Sequence, residues 1–270
     1  MLIPHRLPLQ EGRLLARYDR FIAEVDLGGR VVEAHCVNPG RMEGLVRRGV
    51  RAWVSEAPAG SRRRLRFTLE ILEVDGVFVG ANTVEPNRLV EWLLRERAVP
   101  GLRRYRSLRR EVAYGGHSRI DFLLETGPTE HLVEVKNCHL VYPDGGAYFP
   151  DSVSARAAGH LAALAREVAA GRRATVLFVL QRNDGRVLRP SRLHDPAFAR
   201  AAGDAARAGV RFRALQFEPR PEGFRCLGSL PVDLRPYDPQ RLAAYREALR
   251  DCSGWRRRGP VRRAGKPATG

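Results

Sequence analysis

Val133-Glu134-Val135-Lys136-Asn137 is the stretch that decides how this chain is read. Of its 47 basic residues only Lys136 and Lys266 are lysine, and Lys266 sits in a Gly/Pro/Arg-rich tail. Lys136 is therefore the one lysine of the expected folded body. Two lysines scattered over 47 basic positions reach a given position with probability 2/47, about 4 %. A chain that writes positive charge as arginine needs a reason for lysine here. An ammonium is a compact point charge whose pKa shifts readily, and it fits beside a water or a phosphate oxygen; a guanidinium is a planar fork that stays charged. On a strand, Glu134 and Lys136 share one face, while Val133 and Val135 point the other way, into a core.

Twelve residues separate Glu134 from Asp121, which lies upstream past the turn Thr126-Gly127-Pro128-Thr129. An antiparallel hairpin sets the two carboxylates side by side, where they repel. A divalent cation relieves that repulsion, and Mg²⁺ or Mn²⁺ is the expected ion, since Mg²⁺ takes a couple of carboxylates plus waters and substrate phosphate. Lys136 would position or help deprotonate a water, or stabilise charge on phosphorus. The set suits metal-assisted phosphodiester hydrolysis. Glu-x-Lys alone equally describes a solvated strand face; Asp121 and the singular lysine separate the two readings.

Working outward, residues 12–82 alternate in short strands broken by Gly28-Gly29, Asn38-Pro39-Gly40, Ala57-Pro58-Ala59-Gly60 and Asp75-Gly76. About five strands in 70 residues predict a small OB-like β-barrel, with an SH3-like barrel as the alternative. Residues 87–97 carry helical spacing (Leu89, Val90, Leu93, Leu94) ended by Pro100. Strands at 108–114, 118–125 and 131–137, a helix at 152–170, a buried strand at 175–180, a helix at 196–208 and a strand at 210–215 predict a mixed sheet flanked by helices. The fold class is thus α+β or α/β, divided into a barrel domain (1–82), a mixed-sheet domain (83–237), a short C-terminal helix (238–254) and a disordered basic tail (255–270).

No apolar run approaches the roughly 18 residues of a membrane span, and the start lacks a signal-peptide pattern, so a cytoplasmic protein with no membrane partner is expected. Cys36, Cys138, Cys226 and Cys252 form no C-x-x-C pair and read as isolated thiols. The net charge of +17 points to a polyanion partner, with six basic residues and no acid in 255–270. Phosphate-contact candidates are Arg62, Arg63 and Arg64 on a turn, Arg119 beside Asp121, and Arg256, Arg257 and Arg258 in the tail. Contacts of this kind position a protein on DNA without reading its sequence.

The order of several stretches resembles the sugar fermentation stimulation protein A family, and Asp121 with Glu134-Val135-Lys136 resembles the PD-(D/E)xK nuclease signature. The matching stretches include His35-Cys36-Val37-Asn38-Pro39-Gly40-Arg41-Met42-Glu43-Gly44, Asn82-Thr83-Val84-Glu85-Pro86-Asn87-Arg88-Leu89-Val90-Glu91, Ser118-Arg119-Ile120-Asp121, Phe149-Pro150-Asp151-Ser152-Val153 and Pro231-Val232-Asp233-Leu234. The resemblance implies an OB-like domain, a PD-(D/E)xK nuclease-like domain and association with DNA. It implies that Glu91 joins Asp121 and Glu134 as a third acidic group, giving a catalytic set of Glu91, Asp121, Glu134 and Lys136. Two departures stand out. Pro39 and Arg41 replace the family's usual Thr and Ser. In Arg156-Ala157-Ala158-Gly159-His160-Leu161, Arg156 and His160 are kept but Gly159 stands where the family has lysine. Arg156 remains as a phosphate contact, and His160 is a candidate for proton transfer or a plain helix-face histidine.

Three functions compete. The first is a divalent-metal-dependent DNA nuclease. The second is a DNA-binding regulator of sugar-metabolism genes on a nuclease-like scaffold. The third, a metabolic enzyme, lacks any Gly-rich nucleotide loop or nucleophile elbow, and no small-molecule cofactor is expected. Pairing of sheet edges is compatible with a homodimer.

Overall fold

The computed structural model describes residues 1–114 and 118–258. A two-residue strand, β1 (Leu2–Ile3), precedes the six strands of the first domain: β2 (Leu9–Tyr18), β3 (Ile22–Asp26), β4 (Val31–His35), β5 (Arg51–Glu56), β6 (Phe67–Val74) and β7 (Val77–Gly80). They follow the order β4-β3-β2-β5-β6-β7, and a parallel pairing of Ala34 and His35 with Phe67 and Thr68 joins β4 to β6. This ring of β2, β3, β4, β6 and β5 is the OB arrangement. Inward residues of each strand, among them Leu14, Val25, Ala34, Val54 and Leu69, fill it.

The second domain begins with α1 (Glu85–Arg95), started by Pro86 in its first turn. Three antiparallel strands follow, β8 (Ser107–Tyr114), β9 (Ser118–Thr126) and β10 (Thr129–Cys138), then β11 (Gly146–Phe149). α2 (Ala155–Ala169) starts where the Ser154 hydroxyl accepts from Ala157 N–H at 3.2 Å. β12 (Arg173–Leu180), β13 (Val187–Pro190), α3 (Pro196–Arg207), β14 (Arg211–Arg220), β15 (Gly223–Leu230), α4 (Gln240–Ala248) and a 3-10 turn (Arg250–Cys252) complete the elements of the described residues. Asp195 caps α3 through Phe198 N–H at 2.8 Å and also accepts Ser154 N–H at 2.8 Å, tying the two helix starts together.

The mixed sheet runs β1-β15-β14-β12-β10-β9-β8. The pairs β10–β12 and β12–β14 are parallel. Alternate residues of β12 go to opposite faces: Val176 and Phe178 meet α2 and α3, whereas Leu177 and Val179 meet α1. Two details differ from the sequence reading. β1 lies at the edge of the mixed sheet, against Phe224 and Arg225, and not in the barrel. Trp255 to Arg258 leave the expected disordered tail: Arg256 pairs with the barrel strand at Tyr18, and Arg20 stacks on Trp255 at 4.8 Å. Residues 259–270, including Lys266, lie outside the described residues.

The domains are fastened by buried polar contacts. Gly80 N–H donates to Gln181 O at 2.9 Å, and Gln181 Nε2 donates to Asn82 O at 3.2 Å and, within the second domain, to Asn137 Oδ1 at 2.7 Å, next to Lys136. No described helix is long and apolar enough to cross a membrane.

Candidate active site

The β9–β10 hairpin keeps its register from Thr126–Thr129 to Phe122–Val133, and the pairing stops there. The next pair would be Asp121 with Glu134. The strands part at that point, and the Asp121 carboxylate fills the gap. Its Oδ2 accepts Val135 N–H at 2.7 Å, and its Oδ1 accepts from Asn87 Nδ2 of α1 at 2.8 Å. An acidic side chain thus takes over from a main-chain carbonyl, which fixes the carboxylate rigidly.

Glu134 is 4 % exposed. Its Oε1 accepts from Lys136 Nζ at 2.6 Å and lies 2.6 Å from Nδ1 of His160 on α2. Its Oε2 is buried without a hydrogen-bond partner. On the far side of the imidazole, Arg156 Nε donates to His160 Nε2 at 3.5 Å.

These contacts set the charges. Burial, then the nearby Glu134 carboxylate, pushes the Asp121 carboxyl up to about 6, against the opposing pull of the Val135 N–H, Asn87 and Lys136. Burial alone would also raise Glu134, but the His160 hydrogen bond and the Lys136 ammonium outweigh it and hold that carboxyl below its usual range. A buried orphan oxygen beside a second, reluctantly ionised carboxylate is an arrangement a divalent cation completes, because it supplies both the missing partner and the missing charge. The donor set therefore fits a hard cation. Among the described residues no group of three or more His, Cys, Asp and Glu stands ready to hold a metal.

Asp121, Glu134, Arg156 and His160 line two adjoining clefts. One, of about 470 Å³, is also lined by Arg6, Asn87, Arg88, Arg110 and Lys136. The other, of about 730 Å³, adds Arg119, Gly159 and Arg166. Cations thus surround the acidic centre on both sides.

The structure brings Asp121, Glu134, Lys136, Arg119 and Arg156 together. It does not bring Glu91: that carboxylate is held by Arg95 at 2.7 Å and Arg110 at 2.6 Å and lines neither cleft. Asn87, one turn earlier on the same face of α1, reaches Asp121 in its place. Arg63 lines a separate cleft of about 390 Å³ at the seam between the domains, and Arg62 and Arg64 are exposed outside all three. Arg256 and Arg257 are exposed on the barrel side. Arg258 is not free for phosphate, since its guanidinium is bound by Glu33. Glu111 lines both acidic clefts, and no motif or alternation in the sequence marked it.

Residues 84–223 match the model described as the sugar fermentation stimulation protein RE domain, and residues 15–81 match the SfsA N-terminal OB domain. A sugar fermentation stimulation protein homolog of Maricaulis maris is 45 % identical over 215 residues, covering 79 % of this chain and 91 % of the relative. The chain belongs to the sugar fermentation stimulation protein family. A second homolog, from Alkalilimnicola ehrlichii, is 43 % identical over 231 residues, 83 % of this chain and 97 % of its own. The solved structure of Pyrococcus furiosus SfsA in complex with Ca²⁺ superposes with a TM-score of 0.78 at 27 % identity, covering 86 % of this chain and 98 % of that one. The two-domain architecture of the sugar fermentation stimulation proteins is therefore that of this chain: an OB domain followed by a mixed-sheet domain. The two matched segments meet within Asn82–Thr83, beside the Gly80–Gln181 contact that joins the sheets.

Proposed function

We propose that this protein binds DNA and cleaves its phosphodiester bonds with a divalent cation held at Asp121 and Glu134. The observation that carries the reading is the unpartnered, buried Glu134 Oε2 next to an Asp121 whose ionisation is disfavoured, both inside a cleft also lined by Arg6, Arg88, Arg110, Lys136 and Arg156. A protein that only bound a polyanion would gain nothing from carboxylates at the centre of its basic surface. The Ca²⁺ bound by the Pyrococcus furiosus relative supports a divalent ion, and Mg²⁺ or Mn²⁺ is the ion we propose here.

The bound ion would supply positive charge against the phosphate and ease loss of a proton from water. The chain's own residues do the rest. Asn87 and the Val135 N–H hold Asp121 in place. Lys136 Nζ, 2.6 Å from Glu134, presents an ammonium to the side of the phosphate where charge develops. His160 is positioned by Glu134 and Arg156, so it can pass a proton without leaving its place. Arg119, Arg156 and Arg6 grip flanking phosphates.

Supercoiled, linear and branched DNA incubated with Mg²⁺ or Mn²⁺ tests the reading. Cleavage by the wild type, lost in Lys136→Ala with DNA binding kept, is the expected result. A second reading is favoured by one observation: no ready three-ligand metal group exists among the described residues. On that reading the protein is a DNA-binding regulator of sugar-metabolism genes that does not cut. Salt-sensitive binding with no cleavage of any substrate would select it.

A further inference from the structure

The pleat of the sheet reverses at two neighbouring points. In β8, Leu108 packs on the α1 face and Val112 on the α2 face, although residues four apart on a regular strand share a face. In β9, Ile120 packs on the α2 face and Phe122, two residues on, packs on the α1 face. The reversals fall at Glu111 and Asp121. The register pairs Arg110 with Phe122 and Val112 with Ile120, so these two residues stand opposite each other. Glu111 has φ of +50°, a conformation that a non-glycine residue rarely adopts inside a strand. Local irregularities of this kind re-aim a side chain, and such strain persists where the surroundings require it.

We infer that Glu111 is a third carboxylate of the divalent-cation site, reaching the ion through a water it holds, in the role the sequence resemblance assigned to Glu91. The inference rests on the proposed cation site at Asp121 and Glu134. Glu111 lines both clefts that those two line, whereas Glu91 lines neither. Among the described residues the Glu111 side chain has no hydrogen bond or ion pair, while its neighbour Arg110 is engaged by Glu91. The buried Glu134 Oε2, which lacks a hydrogen-bond partner, belongs to a residue that lines the same two clefts as Glu111. Contact through water also accounts for the lack of a ready direct three-ligand group. Groups that hold and orient an ion's ligands weaken metal affinity by about 10- to 100-fold when removed.

Calorimetric titration with Mn²⁺, on the full chain without DNA, reads the site directly. Glu111→Gln keeps shape and loses charge. Glu111→Gly removes the carboxylate and suits the positive φ, so it leaves the fold as stable or more stable. The expected result is a Mn²⁺ affinity about tenfold or more weaker in both variants, with the metal-free melting temperature of Glu111→Gly unchanged or raised. Glu91→Gln is expected to leave Mn²⁺ affinity within about twofold of wild type. Glu111 variants that bind Mn²⁺ like wild type, while Asp121→Ala does not, would overturn the role of Glu111 alone. A wild type that binds no Mn²⁺ would overturn the cation site and this inference with it.

Discussion

Two buried carboxylates in this protein have opposite surroundings. Glu43, on the barrel's Asn38–Glu43 loop, is 4 % exposed, the same as Glu134. Both of its oxygens are engaged: Tyr142 Oη donates to Oε2 at 2.8 Å, and His194 Nε2 lies 3.0 Å from Oε1. His194 is held in turn by Ser191, with Nδ1 and Oγ 2.8 Å apart. Burial would raise the Glu43 carboxyl, but His194 and Tyr142 more than offset it. Glu134 keeps one oxygen unpaired, and its neighbour Asp121 is pushed towards the protonated form. Ser191, His194 and Glu43 have the residue types of a hydrolytic triad, yet Ser191 is fully buried. The closed network fastens two domains; the open one leaves a carboxylate oxygen unpartnered. Satisfaction of the polar atoms, and not residue type or burial, tells the two apart.

The largest effect expected from this contrast is on the closed side. Glu43→Ala strands Tyr142 and His194 in the domain seam, and breaking a buried pair of this kind costs about 3–5 kcal/mol. Denaturant unfolding of the full chain should show that loss, and Mn²⁺ affinity of the folded fraction should be unchanged. A loss below about 1 kcal/mol would mean that the seam is held by other contacts.

Next in size is the open side. Lys136→Ala removes the ammonium proposed to face the phosphate and is expected to lower the cleavage rate by about 10²–10³-fold. Stability should change little, because Glu134 keeps His160 as a partner. Equal falls in rate and in DNA affinity would instead make Lys136 a binding residue.

The pH response separates the sites by sign. Glu43 is depressed in the folded state, so its contribution is present above its unfolded value near 4.5 and is lost as pH falls. Asp121 is raised from 3.8 to about 6, so its contribution is fully present below 3.8 and is lost as pH climbs through 6. At pH 7, without metal, the ionised Asp121 is therefore a liability. Asp121→Asn should stabilise the metal-free protein by roughly 1–3 kcal/mol, with the gain vanishing near pH 4. Thermal melts across pH 4–8 in chelator check this, and a variant less stable than wild type at pH 7 would count against the frustrated pair.

The open side of this contrast was partly legible in the sequence, the closed side was not, and the failures have physical causes. The scarcity of lysine marked Lys136, and alternation placed Glu134 beside it because strand periodicity is local. Glu91 rested on the family resemblance alone, and nothing in the sequence pointed to Asn87, one turn earlier on the same helix face. Arg95 and Arg110 capture Glu91, and Arg110 comes from a strand beyond the helix. Glu111 was invisible because a pleat reversal is decided by packing against two separate cores. β1 was missed because its partners, Phe224 and Arg225, lie over 200 residues away. His35-to-Gly44 was recognised as a motif, but its use as a dock was not. Gly40 shows that use plainly: a Cβ there would come within 2.3 Å of the Asp151 carboxylate.

The smallest expected effect concerns Gly159, one of the positions where the family resemblance breaks. Gly159 lies on α2, in the cleft lined by Arg119, Arg156 and Arg166, and a Cβ there would meet nothing within 4 Å. Gly159→Lys places there the ammonium that the family resemblance implies, without a steric cost. Replacing a helical glycine should itself stabilise by about 0.5–1 kcal/mol. If the open site holds a phosphate backbone, the new ammonium adds one phosphate contact, and the salt dependence of DNA binding steepens by about one unit of slope. The same substitution leaves Mn²⁺ affinity in the absence of DNA unchanged or slightly weaker, because a cation placed near the cleft repels another. A steeper salt slope with unaltered metal binding would assign this face of α2 to the DNA backbone. An unaltered slope would mean that the strand does not cross α2 at all, and that the arginines there face solvent.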